Sequence, residues 1–241
     1  NPERGLPVIQ GVYVLFGAPG TPGQAPRAVL DGVELTGLRT SAVSALGVRL
    51  LADASPRHLV VVGTGVQAWE HALTFQDVFG LERVSVVGRD ADRAAALAAR
   101  IEAELGVTAS TADSEAVAEA DVVVTCTAAT APLFDGTLVP EHATVVAMGS
   151  HTTDARETDD ALARRATVAV ESRDSAAREA GDVTLAIDSG ALAGIEDTVT
   201  LAELVAGTAR RREGAPALFV TTGMPWQDLV VASAVAREVL G

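Results

Sequence analysis

Leu59-Val60-Val61-Val62 is a run of four apolar residues, three of them β-branched, between His58 and a glycine-rich turn. It is too short for a buried helix and reads as a parallel strand covered on both faces. Similar runs recur at Val84–Val87, Asp121–Thr127 (DVVVTCT), Thr144–Met148 (TVVAM) and Thr167–Val170, with a shorter one at Val107–Ala109. Between them the apolar period lengthens. Trp69, Ala72 and Leu73 mark one helix. Leu97, Ile101 and Leu105 form an i, i+4, i+8 stripe on another, which Asp90 is placed to cap. Strands alternating with helices imply right-handed βαβ units and a doubly wound parallel sheet, an α/β fold of the Rossmann type.

The two ends of the chain are patterned differently. Gly11–Phe16 reads as a strand, Gly17–Pro26 as a Gly/Pro loop and Arg27–Leu30 as a second strand. Asp31-Gly32 is a hairpin signal, with Val33–Leu35 as a third strand. Ser41–Ala54 predicts a helix with Val43, Leu46, Leu50 and Leu51 on one face. Near the C-terminus, Thr200–Gly207 is helical, Arg210–Ala215 is a charged loop and Leu218–Thr221 is a strand. Pro225 then opens a last helix carrying Leu229, Ala232, Val235 and Val239. Two regions follow: a dinucleotide-binding domain over residues 41–215, and a discontinuous α+β domain from residues 1–40 and 216–241.

Composition narrows the function. Aromatic residues are 3% of the chain, so the core must be built from Val, Leu, Ile and Ala. A net charge of −14 argues against nucleic acid and anionic membrane surfaces as partners. All 18 basic residues are Arg. Cys126 is the single cysteine, which excludes an intrachain disulfide and suits a reducing cytoplasm. No apolar run reaches the roughly 18 residues of a membrane span, and no metal-ligand cluster is visible.

The candidate chemistry starts at Gly63-Thr64-Gly65-Val66-Gln67-Ala68, a G-x-G-x-x-A turn between the first core strand and its helix. In that context Gly63 allows the tight turn and Gly65 lets the backbone approach a pyrophosphate. Ala68 lets the helix pack on the strand, and the helix N-terminus offers N–H groups to the phosphates. NAD enzymes place an acid at the end of the second strand, for the ribose 2′-OH. Here Gly88 holds that position and Arg89 follows, with Arg93 one helical turn on. An arginine there suits a 2′-phosphate, so NADP(H) is preferred and NAD(H) remains possible. Asp90 is either a ribose ligand or, as the residue before the helix, an N-cap. Cys126 closes a strand beside the cofactor crevice, as a small packing residue rather than a nucleophile.

Several stretches share their order and character with one family: NPERGLPVIQG at the start, TGLRTSAVSAL around Arg39, GTGVQA, TCTAATAPLF, MGSHTTDARETDDAL, EAGD at Glu179–Asp182 and FVTTGMPWQDLV. On these the chain resembles the ornithine cyclodeaminase/μ-crystallin family. The resemblance implies a central NAD(P) domain flanked by a discontinuous substrate and dimerisation domain, hence a homodimer. It implies hydride transfer at a C–N bond beside a carboxylate, on a small imino or amino acid. Arg39 matches the arginine that grips the substrate carboxylate. Thr40, Thr127, Met148 and Gly149 fall in the matching cofactor segments. His151 stands where ornithine cyclodeaminases carry an Asp, which brings the segment closer to the μ-crystallin type; Asp154, Arg156, Glu157 and Asp159 fit that type, and Thr153 replaces a usual Pro. His151 is a candidate proton donor or substrate contact. His58, His71 and His142 read as structural.

The family's catalytic Lys lies upstream of the N-P-x-x-G-L-P segment, and this chain has no Lys. Either the complete protein carries it in a preceding portion, which is the expectation, or the protein is a natural short form. The functions in contention are an NADP-dependent imino-acid (ketimine) reductase or amino-acid dehydrogenase, an ornithine cyclodeaminase with bound NAD, and a non-enzymatic NADP-binding protein.

Overall fold

The computed structural model describes residues 10–18, 20 and 23–240; the motif over residues 1–9 lies outside them. The chain divides into two compact units. One holds the residues up to Val43 together with those from Gly223 on, and the other is Ser44–Thr222.

In the first unit, β1 (Val12–Phe16) pairs antiparallel with β2 (Pro26–Asp31). The third strand expected at Val33–Leu35 does not form. Helix α1 (Gly32–Leu51) starts directly after β2, nine residues before the predicted Ser41. The hairpin signal is a helix start instead: the Asp31 carboxylate accepts from the Val33 N–H at 2.7 Å, and Thr36 donates to the Gly32 carbonyl at 2.6 Å. A triplet such as Val-Glu-Leu suits either period, and the carboxylate cap decides it. The face of α1 is corrected too. Leu35, Val43, Ala45, Val48 and Leu51 are buried, whereas Leu46 is exposed.

The second unit is one eight-stranded sheet. Its elements run β3 (His58–Val62), α2 (Val66–Phe79), β4 (Arg83–Val87), α3 (Ala91–Leu105), β5 (Thr108–Ala112), β6 (Val122–Thr125) and β7 (Thr144–Ala147). They continue with α4 (Asp160–Arg165), β8 (Thr167–Val170), α5 (Arg173–Glu179), α6 (Gly181–Asp188), β9 (Val199–Thr200), α7 (Leu201–Val205) and β10 (Ala217–Val220). The strand order is β5-β4-β3-β6-β7-β10-β8-β9, and every pairing is parallel. Every residue of β3, β6, β7, β8 and β10 is buried, which is why these strands read as unbroken apolar runs. Each covered Val side chain contributes about 1.5–3 kcal/mol. The order reverses at β3, with β4 and β5 on one side and β6 and β7 on the other. A ligand crevice therefore lies at the carboxyl ends of these strands.

Strand β10 corrects the domain reading. Residues 217–220, assigned from sequence to the terminal domain, sit inside the parallel sheet between β7 and β8. Ala-Leu-Phe-Val is as apolar as the other core strands, and position in the chain misled. The short helices α4, α5 and α6 were not foreseen. They are too brief for a full apolar period, and α4 and α5 are fixed by side-chain caps from Asp159 and Ser172. β5 runs three residues past the predicted Val107–Ala109.

Helix α8 (Pro225–Leu240) belongs to the first unit. Of its predicted apolar positions Ala232 is buried, while Leu229 and Val239 are exposed. No helix of the described residues is long and apolar enough to cross a membrane.

Candidate functional site

The β3–α2 connection has the geometry its glycines require. Gly63 has φ +132°, and a Cβ there would stand 2.7 Å from the Cys126 carbonyl, so the turn presses against the end of β6. Gly65 precedes α2 as its N-cap with no side-chain cap, and a Cβ on it would meet open space. Ala68 is fully buried. The turn thus presents bare backbone and an uncapped helix end to the crevice, which suits a pyrophosphate. Val66 is exposed on the first turn of α2, and Gln67 binds through its carbonyl to His71 Nδ1 at 2.7 Å.

At the end of β4, a Cβ on Gly88 would lie 2.6 Å from Thr64 Cγ2. Gly88 lets the glycine turn sit close, and an acid there would collide with it. Asp90 is the N-cap of α3, accepting from the Arg93 N–H at 3.1 Å. Arg89 and Arg93 are exposed, and neither is in an ion pair among the described residues. Two arginine side chains without a carboxylate partner among the described residues thus flank the carboxyl end of β4.

On the other side of the switch point the rim is tied together by a buried carboxylate. Glu157 is completely buried. Its carboxylate accepts from Thr125 Oγ1 at 2.6 Å, from the Thr127 N–H at 2.9 Å and Thr127 Oγ1 at 2.6 Å, and from the Gly149 N–H at 2.8 Å. It joins the loop after β6 to the loop after β7. A Cβ on Gly149 would overlap the Thr127 carbonyl and stand 2.6 Å from Glu157 Oε1. Beneath it, Asp182 on α6 accepts from the Glu157 N–H at 3.1 Å, the Thr158 N–H at 2.7 Å and Thr158 Oγ1 at 2.6 Å. Burial raises the Asp182 carboxyl to about 6, and the Glu157 charge adds to the rise. Burial also pushes the Cys126 thiol well up, with the Glu157 carboxylate in second place, which works against its thiolate form. Met148, at the end of β7, is buried.

His151 sits exposed on the loop after β7. It has no hydrogen-bond or ion partner among the described residues. The base of that loop is fixed by Ser150, which donates to the Ala155 carbonyl at 2.5 Å, and by Thr184, which donates to the Thr153 carbonyl at 3.1 Å. The other histidines have structural partners. His71 is fully buried, donates from Nδ1 to Gln67 and meets Ser44 Oγ at 2.8 Å through Nε2; burial lowers it to about 4. His58 contacts Ser85 Oγ at 2.8 Å and is lowered chiefly by burial. His142 pairs with Asp121 at 3.1 Å.

In the first unit Arg39 pairs with Asp228, Nε to Oδ1, at 3.3 Å. The buried Nε–H has no acceptor in line among the described residues, so the pair is electrostatic. A Cβ on Gly223 would stand 2.6 Å from Arg39 Nη1. Thr40, next on α1, is buried.

Glu157, Asp182 and Asp228 lie in stretches that the sequence reading matched to the family, but it gave them no role. Their signals were a Glu in a loop after an apolar strand, the last Asp of an E-A-G-D stretch, and an acid opening the last helix. None of these differs from a solvated charge until the fold is known.

The chain is similar to known proteins. The ketimine reductase mu-crystallin of Mus musculus is 35% identical over 208 residues, covering 86% of this chain and 64% of the mouse protein. This chain therefore matches somewhat under two thirds of that relative's length. The Delta(1)-pyrroline-2-carboxylate reductase of Paracoccus denitrificans (strain Pd 1222) is 35% identical over 245 residues, covering 100% of this chain and 77% of the relative. Among solved structures, that of Thermococcus litoralis Delta(1)-pyrroline-2-carboxylate reductase in complex with NADH and L-proline superposes with a TM-score of 0.91. It is 27% identical and covers 99% of this chain and 74% of the other. The glycine turn at a switch point and these likenesses agree with a family model that matches residues 1–241: the chain belongs to the ornithine cyclodeaminase/mu-crystallin family.

Proposed function

We propose that this chain carries the cofactor and carboxylate sites of an NADP-dependent imino-acid reductase, acting on a small cyclic imine beside a carboxylate. The observation that carries the reading is the crevice at β3: bare glycine backbone and an uncapped helix end at the centre, with the exposed Arg89 and Arg93 at one flank. The donor set fits a dinucleotide with an added phosphate. Gly63, Thr64, Gly65, Val66 and Gln67 would hold the pyrophosphate. Arg89 and Arg93 would hold the 2′-phosphate, since Asp90 is engaged as a cap and Gly88 offers no acid. When bound, the reduced dinucleotide supplies a hydride to the carbon of the C=N bond.

The remaining work falls to side chains of this family's substrate segments. Arg39 fixes the substrate carboxylate through its guanidinium, with the Asp228 charge at Nε and no ion partner on its two terminal nitrogens among the described residues. Fixing that carboxylate turns an encounter into an oriented approach, worth several kcal/mol of barrier. The imine nitrogen gains one proton in the reaction, and His151, exposed and without a polar partner among the described residues, is the group of this chain we assign to supply it. A homodimer through the first unit accords with the exposed Val12, Val14, Phe16 and Val29 of its hairpin; light scattering at micromolar concentration checks it. A single thiol accords with a cytoplasmic location.

The test is loss of NADPH absorbance with pyrroline-2-carboxylate or piperideine-2-carboxylate in the full-length protein. The reading expects turnover with NADPH preferred over NADH, and an Arg39→Ala variant that loses substrate affinity while keeping NADPH binding. Absence of turnover with NADPH still bound would point to a binding protein.

A further inference from the structure

Glu157 is a fully buried carboxylate with no cationic partner among the described residues. Removing such a charge from water is costly, and apolar residues of similar volume usually serve stability as well or better. Its neutral donors are unusually placed. Two come from Thr127, in the loop after β6, one from Thr125 at the end of β6, and one from the Gly149 N–H after β7. The chain of contacts is continuous: Gly63 packs on the Cys126 carbonyl, Thr127 follows, and Gly149 closes on the Thr127 carbonyl. In a doubly wound sheet the glycine turn holds the pyrophosphate and the second strand receives the adenosine. The loops beyond the switch point then border the nicotinamide half.

We propose that Glu157 is a positioning residue for the nicotinamide half of the cofactor, acting through the Thr127 and Gly149 loops; this rests on the dinucleotide reading above. Asp182 holds the peptide of Glu157 and Thr158 from below, so the strap is anchored in α6 rather than in solvent. Among the described residues, neither Arg89 nor Arg93 is hydrogen-bonded to Glu157, whose partners are Thr125, Thr127 and Gly149. Loss of the carboxylate therefore leaves the Arg89 end unchanged.

The experiment titrates wild-type protein and Glu157→Gln with NADPH and with 2′,5′-ADP, which carries only the adenosine and phosphate groups. An amide nitrogen cannot accept from Thr127 or Gly149, so part of the strap is orphaned. The expected result is NADPH weakened about tenfold, with 2′,5′-ADP unchanged. Equal weakening of both ligands means a general loosening of the fold and overturns the proposal, as does no change in either. If Glu157→Gln does not fold, Thr125→Val removes one donor at constant shape. The same discrimination, at about threefold, is expected there, and equal effects on both ligands again overturn it. Wild-type protein that binds neither ligand would sink the dinucleotide reading itself, and this inference with it.

Discussion

The two flanks of the β3 crevice are built on opposite principles. The Gly88–Arg93 flank is open: two exposed arginines, a glycine chosen for clearance, and one acid already used as a helix cap. The Thr125–Gly149 flank is closed, with a buried carboxylate that accepts four hydrogen bonds and a glycine with no room for a Cβ. Exposed cations recognise a phosphate through charge and adapt to it, and they are screened by salt. A bonded buried carboxylate recognises nothing; it fixes backbone. On the proposed reading, cofactor choice belongs to the first flank and geometry to the second.

The largest effect expected separates two glycines. Gly149→Val should lower unfolding free energy by about 3 kcal/mol or more, because the side chain overlaps backbone. Gly65→Val, whose Cβ meets open space, should change stability by no more than about 1 kcal/mol yet weaken NADPH by more than about tenfold. Denaturant melts and NADPH fluorescence titrations check both, and a stable Gly149→Val protein would break the contrast.

The second prediction concerns acid. His71 is depressed to about 4 from 6.5, so its contribution to stability is full above about pH 6.5 and is lost as pH falls through 4. Asp182 is raised to about 6 from 3.8, so its contribution is present below about pH 3.8 and lost as pH rises through 6. Each amounts to about 3 kcal/mol, and between pH 4 and 6 the two slopes oppose. Asp182→Asn should therefore lose stability more steeply than wild type on going from pH 6.5 to 4. His71→Gln should lose it less steeply. Parallel pH profiles for wild type and Asp182→Asn would show that the strap's anchor is not a buried titrating acid.

Third, Arg89→Ala should weaken NADPH by about 1.5–3 kcal/mol, for a lost charge-assisted contact, with NADH unchanged. Equal loss for both would remove cofactor choice from this flank. The smallest effect belongs to the other unit. Asp228→Asn removes the ion partner of the mostly buried Arg39, and KM for the imino acid should rise by about threefold to fivefold, near 1 kcal/mol. Steady-state kinetics with unchanged KM would leave Arg39 held by packing against Gly223 alone.

The open flank and the glycine turn were legible in the sequence because they depend on local chemistry. Gly63, Gly65, Gly88, Arg89 and the Asp90 cap each act within a few residues of their position in the chain. On the closed flank Thr127, Met148 and Gly149 entered through the family resemblance, but the bonding that joins them was not legible, because Glu157 meets Thr125 and Asp182 meets Thr158 across 32 and 24 residues, and no period or spacing encodes that pairing. The same division holds for the fold. Buried strands announced themselves as apolar runs, whereas the start of α1 turned on one Asp31 hydrogen bond, and β10 entered the sheet beside strands remote from it in sequence.

The account stands most directly on a double-variant cycle. NADPH dissociation constants are measured for wild type, Arg89→Ala, Glu157→Gln and the double variant. Two flanks with separate tasks and no shared hydrogen-bond partner predict free-energy losses that add within about 0.5 kcal/mol. A double variant that loses no more than the worse single one would show that both residues serve a single function, and would contradict the division.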